Sequence, residues 1–171
     1  MRIIIAGLIG GIVLFVWGTI AHTMLPIGEM GMKLATNQEA TVSAMQAAAQ
    51  PGAGVYVLPG MSPEQYRDDA TREAFVAKYK DSPSAFVVYD PSPNPIMSSM
   101  GPNLVKQFIS DYFVALLAAW IMGLAAVSFG TRVAMGGAMG LLAWFAANVP
   151  YWNWYRFPMD FTVGAWLDSG V

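Results

Sequence analysis

Two long apolar stretches bracket a polar insert, and that layout leaves the chain few folds to choose from. Residues 3–20 are almost continuously apolar, and residues 112–149 are largely apolar with their main break at Gly130-Thr131-Arg132. Each unbroken run approaches the roughly 18–20 residues that a helix needs to cross a bilayer core about 30 Å thick. Composition agrees: 56% of the residues are hydrophobic and only 12% are charged, against about 25% charged in a soluble domain. Withdrawing lipid-facing surface from water produces such a deficit. The expected fold is a membrane-embedded all-α helical bundle of three transmembrane helices plus a partial fourth, carrying a small α/β extracytoplasmic domain.

Charge and cysteine content narrow the function classes. A net charge of −2 supplies no clustered lysine and arginine of the kind that nucleic acid or anionic lipid demands. The chain has no cysteine, which excludes disulfides, thiolate metal centres, iron–sulfur clusters and a cysteine nucleophile. The start, Met1-Arg2 followed by an apolar run, has the form of a secretory signal, with Thr19-Ile20-Ala21 as a small-residue cleavage site. The run is longer than a signal's apolar core of about 7–15 residues, so segment 1–26 is read as a retained first transmembrane helix. Arg2 precedes it, and Arg132 is expected in the tight turn between the two later helices. Placing both in the cytoplasm puts the long segment between outside, where its own basic residues carry little weight.

That segment, 27–90, reads as a small α/β domain. A short helix is expected over 37–50, closed by Pro51-Gly52. Val55-Tyr56-Val57-Leu58 reads as a strand, and Ala85-Phe86-Val87-Val88-Tyr89 as a second. Between them, Ser62-Pro63-Glu64-Gln65 carries a capping box with proline at the first helical position, and one helix is expected from there to Lys80. A domain of this size with two short strands is marginal alone and is expected to rest on the helices, the membrane or a partner. Residues 91–103, rich in proline and serine, read as an extended linker. Segment 104–150 is the transmembrane hairpin, and 151–171 is an aromatic interfacial segment leading into a re-entrant or truncated fourth helix.

The helices carry packing signals. Gly7 and Gly11 on the first helix, and Gly136 and Gly140 on the third, fit the small-x-x-x-small pattern that lets backbones approach where lipid offers no hydrophobic drive. Ala119 and Gly123 form a weaker copy on the second. Residues with chemistry gather at one expected surface: His22 and Glu29 after the first helix, Asp111 at the start of the second, and Asn148, Asn153, Arg156 and Asp160 near the end of the third. They read either as a structural polar collar or as a site for a lipid headgroup or a pigment metal held by His22. Catalysis is the weakest reading. One histidine cannot supply two axial ligands, no metal site is assigned, and no serine sits in a G-x-S-x-G elbow.

Phe15-Val16-Trp17-Gly18, His22, Leu25-Pro26, Gly28-Glu29 and Gly31, together with Trp154-Tyr155-Arg156-Phe157-Pro158 and Phe161, resemble a group of small uncharacterised bacterial inner-membrane proteins. The likeness covers the first helix, its exit turn and the last apolar segment. It implies a bacterial inner-membrane location and no mechanism or cofactor. Members of that group continue through a complete last helix, and this chain departs by ending sooner. The expected role is a non-catalytic accessory subunit of a larger membrane complex, its partners being membrane lipids and other membrane subunits, with no nucleic acid. The alternatives are an oligomeric carrier or channel, and a lipid- or pigment-binding protein built on the collar around His22.

Overall fold

The structure, a computed structural model, describes residues 1–169; the final two residues of the expected C-terminal segment lie outside the described residues. It is mostly helical, with three long apolar helices that could span a membrane and a small two-stranded sheet. Two compact units emerge, one from Met1–Lys33 together with the chain from Asn94 onward, the other from Leu34–Pro93.

The first unit is built on α1 (Arg2–Thr23) and α5 (Gly101–Gly123). Glycine lets these two helices touch backbone to backbone. A Cβ on Gly7 would fall 2.9 Å from Leu116 Cα, and one on Gly11 would fall 2.8 Å from Tyr112 Cα. Gly10 receives the methyl of Ala115 in the same way. Phe15 meets Phe108 edge to face, ring centroids 5.7 Å apart, and Gly123 lies near Ile3. Partners on α5 descend in number as those on α1 rise, so the pair is antiparallel. Gly7, Gly11 and Ala115 are buried along this seam, while residues such as Ile5, Ile9, Val13, Val114 and Leu117 on the flanks stay exposed.

The chain then turns at 124–128, earlier than the expected break at Gly130-Thr131-Arg132. Ser128 explains the shift: its side chain accepts the Thr131 N–H and caps α6 (Phe129–Tyr155), which places Gly130 and Arg132 inside the first helical turn. The helix also passes through Pro150 rather than ending there. No residue of α6 is buried, so this long apolar helix is not enclosed by the described parts of its own chain. After Arg156 in the left-handed conformation (φ 60°), α7 (Met159–Ser169) follows. Eleven residues give a helix about 16 Å long, half a bilayer core. Residues 91–103 are not wholly extended: Pro95–Met97 forms a 3₁₀ turn capped by Asn94, and α5 begins at Gly101.

The second unit contains α2 (Gln38–Ala48), β1 (Gly54–Leu58), α3 (Pro63–Arg67), α4 (Asp69–Tyr79) and β2 (Ala85–Tyr89). Asn37 caps α2 by accepting the Ala40 N–H. The strands pair antiparallel, with Gly54 opposite Tyr89 and Leu58 opposite Ala85. The expected single helix from Ser62 to Lys80 is two. The capping box of Ser62 and Gln65 starts α3, but Asp68 is extended (φ −89°, ψ 111°) and its carboxylate accepts the Thr71 N–H to open α4. A second cap outcompetes helix continuation there. None of residues 34–93 is buried, so this unit has no core of its own. Val55, Val57 and Val88 share one exposed face of the sheet, since Val55 pairs with Val88 and Val57 with Phe86.

Asp68 yields a direct pH prediction. Hydrogen bonds from the Thr71 side chain and then its backbone N–H hold the Asp68 carboxyl below the usual carboxylate range. A carboxyl lowered by folding stabilises the helix start above its unfolded pKa and loses that contribution as pH falls through the folded value. Amide exchange at Thr71 and Arg72 should therefore accelerate on acidification, and Asp68→Asn should remove most of that response. An acid response of equal size in Asp68→Asn would assign it to another group.

Candidate functional site

A second junction forms where α7 packs against the end of α1, its exit turn and α6. The exit turn folds back through hydrogen bonds from Leu25 N–H to Ile20 O and from Gly28 N–H to Ala21 O. Three glycines make the remaining approach. Gly28 packs on the His22 ring so closely that a Cβ would overlap it, and Gly31 (φ 74°) would bring a Cβ to 2.5 Å from the Phe161 N. Gly164 offers the same closeness to Met30 Cβ, at 2.8 Å. On α7, residues 161, 164 and 168 recur at helical spacing, so one face meets the exit turn and the end of α1. The neighbouring Thr162 is 2% exposed, and its carbonyl accepts the Trp144 indole N–H of α6 at 2.9 Å. Ala21 is fully buried at this junction.

At the far end of α7 the Trp17 indole N–H donates to the Asp168 carbonyl at 2.9 Å. The Asp168 carboxylate reaches His22, with Oδ1 3.7 Å from Nδ1. The same Nδ1 lies 3.0 Å from Gly18 O. That carbonyl can only accept, so a hydrogen on Nδ1 accounts for the contact. Asp168 Oδ1 is buried and has no hydrogen-bond partner among the described residues. His22 remains half exposed, its side chain at 53%, while that of Asp168 is at 32%.

No family model, curated protein or solved structure matches the chain. The site therefore has to be read from its own geometry.

The expected collar residues are distributed over α1, its exit turn, α5, α6 and α7. His22 is at the junction, and Glu29 is exposed in the exit turn. Asp160 opens α7, its carboxylate accepting the Phe161 N–H, where an acid suits the helix N-terminus. Arg156 caps α6 through its own N–H to Tyr151 O. Asn153 is exposed in the last turn of that helix and Asn148 is partly exposed. Around them Tyr151, Phe157 and Phe161 stack in sequence, each pair of centroids 5.1 Å apart.

Asp111 is displaced from where the sequence suggests. It lies ten residues into the 23-residue α5, level with the Gly11 contact rather than at the helix start. Among the described residues its hydrogen-bond partner is Gln107 Nε2, 2.8 Å away on the same helix. Gly7 and Gly11 lie against α5, whereas a Cβ on Gly136 would meet nothing within 4 Å, and Gly140 is partly exposed. Among the described residues no group of three potential ligands could hold a metal ion.

The residues that sequence reasoning missed are Trp17, Trp144, Thr162 and Asp168. The recurrence at 161, 164, 165 and 168 was the available signal. It is short, and only the second partner, the glycine-bearing exit turn, gives it meaning.

Proposed function

We propose that this chain is a non-catalytic accessory subunit of a larger bacterial inner-membrane assembly. In this reading α1, α5 and α6 cross the membrane, the N-terminus is cytoplasmic and the unit Leu34–Pro93 is extracytoplasmic. The antiparallel α1–α5 pair supports a common side for Arg2 and Arg132, because Ile3 adjoins Gly123 at the end where α6 begins. Basic residues at short cytoplasmic connections set orientation.

One observation carries the proposal. Asp111 sits midway along α5, and its hydrogen-bond partner among the described residues belongs to its own helix. A carboxylate at mid-bilayer is costly and faces a polar partner or a water-filled space. Gln107 sits on the same helix, and this reading gives the carboxylate a further polar partner on another chain. The open surface of α6 around Gly136 supports lateral assembly through the same region of the bilayer.

Native extraction in mild detergent, followed by mass spectrometry of what co-purifies, tests this directly. Stoichiometric membrane partners are expected with the wild-type chain. Asp111→Leu should reduce their recovery about ten-fold, the effect of removing roughly 1–2 kcal/mol of interhelical hydrogen bonding, while the chain stays folded. A solitary, monodisperse protein would falsify the proposal.

A further inference from the structure

We propose that the outward face of α5 binds a membrane helix of a different protein, one that carries a lysine or arginine at the level of Asp111. The inference rests on the reading of the chain as a subunit and adds the chemistry of its partner. Asn103, Gln107 and Asp111 recur every four residues along α5, with Lys106 and Ser110 beside them. At about 100° per residue this polar stripe is centred roughly 150° around the helix from the face on which Phe108, Tyr112 and Ala115 meet α1. Asp111 lies at the edge of the stripe nearer α1 and is partly exposed, and the other four are exposed. The stripe therefore points away from the helix that α5 already packs against, and it runs from the start of α5 to its middle.

Among the described residues, the side-chain hydrogen bond within the stripe is Gln107 Nε2 to Asp111 Oδ1 at 2.8 Å, and no ion pair reaches Asp111. A neutral amide serves one carboxylate oxygen and leaves the charge itself uncompensated, which is expensive at that depth. Lys106 does not supply the counter-charge. Five residues before Asp111, it projects from a different side of the helix. Helical side chains also lean toward the N-terminus, which carries the Lys106 ammonium toward the start of α5 and away from the carboxylate. Asp111 is too short to follow it to the surface.

The basic residues of the chain argue against a second copy as the source of the charge. Its three long apolar helices contain Arg2, Lys106 and Arg132. Arg2 opens α1 and Arg132 lies in the first turn of α6, both at the end remote from the start of α5. A second copy set parallel to the first brings another Asp111 to this level and no cation, a repulsion that a low-dielectric medium strengthens. A foreign helix with a lysine or arginine midway along it reverses the sign. Asn103, Gln107 and Ser110 then offer donors and acceptors to the rest of its polar edge.

Native co-purification of the full chain names the partner, and neutralising each side in turn tests the contact. Asp111→Asn keeps the size and hydrogen-bonding capacity of the side chain and removes its charge. Recovery of the partner should fall about ten-fold, as much as in Asp111→Leu, because the partner's cation is left stranded. Replacing that lysine or arginine with glutamine should cause a similar loss. Joining the two neutral variants should restore recovery to within about three-fold of wild type, since neither charge is then unpaired. That rescue also shows that each single variant folds. Wild-type recovery in Asp111→Asn overturns the charge pairing and leaves the subunit reading standing. So does a partner with no basic residue within its apolar helices, or a double variant in which the two losses add. A solitary wild-type chain removes both.

Discussion

Gly11→Leu is expected to separate α1 from α5. The obstacle is steric: at 2.8 Å from Tyr112 Cα, even a methyl group meets backbone rather than the mobile end of a side chain. The helices must move apart, and with them go the neighbouring contacts of Gly7 on Leu116 and of Phe15 on Phe108. Overpacking at a closed interface costs about 1–3 kcal/mol, and here the loss of adjoining dispersion contacts adds to it. The chain has no cysteine, so an engineered thiol pair across the seam gives a clean readout. Disulfide formation between cysteines at Phe15 and Phe108 should be strongly reduced in the Gly11→Leu background. Gly136→Leu is the matched control, because a Cβ there meets nothing within 4 Å; it should leave cross-linking unchanged. Equal cross-linking in both would mean that the α1–α5 seam tolerates a side chain and is not set by its glycines.

The sequence announces some of this architecture and conceals other parts for identifiable reasons. The length and apolarity of residues 3–20 suffice for α1, and the Gly7-x-x-x-Gly11 spacing marks the face that meets α5. The hairpin expected from residue 104 comes within three residues of the start of α5, but Lys106, Gln107 and Asp111 precede the apolar run from Tyr112 and disguise how far into the helix Asp111 lies. Leu104, Val105, Phe108, Ile109 and Tyr112 nevertheless keep the helical period through them. Missing that period put Asp111 at a helix start instead of midway along it. The α5–α6 turn is concealed by Gly130-Thr131-Arg132, which has the composition of a break, while Ser128 with Thr131 three residues on does the capping. Asp68 hides a helix break in the same way, since Asp68-Asp69 in a charged segment resembles an ordinary exposed helix surface. The two strands were legible from β-branched and aromatic runs ended by proline and glycine. Their antiparallel pairing was not, because strand, helix and strand in succession fit either direction.

The junction at α7 was the least legible feature, because neither of its halves is informative alone. Eleven residues with an acid near the end do not announce a docked helix, and an exit turn containing Gly28 and Gly31 does not announce what approaches it. Their pairing makes both glycines necessary, and Gly31 offers the sharpest test. Gly31→Val imposes two penalties at once. A β-branched residue is strongly disfavoured at φ 74°, a strain of about 1–3 kcal/mol. Its Cβ would also fall 2.5 Å from the Phe161 N, a collision with backbone that repacking of side chains cannot relieve. Gly52→Val separates the two effects, since Gly52 has φ 95° but nothing within 4 Å of a Cβ. It bears the conformational strain alone, and its influence should stay within residues 34–93. Gly31→Val should instead release α7, raising its amide exchange by at least ten-fold and breaking the Trp144–Thr162 and Trp17–Asp168 hydrogen bonds. Protection of α7 retained in Gly31→Val would mean that the exit turn is not what holds this helix, and would leave the indole hydrogen bonds from Trp17 and Trp144 as its principal anchors.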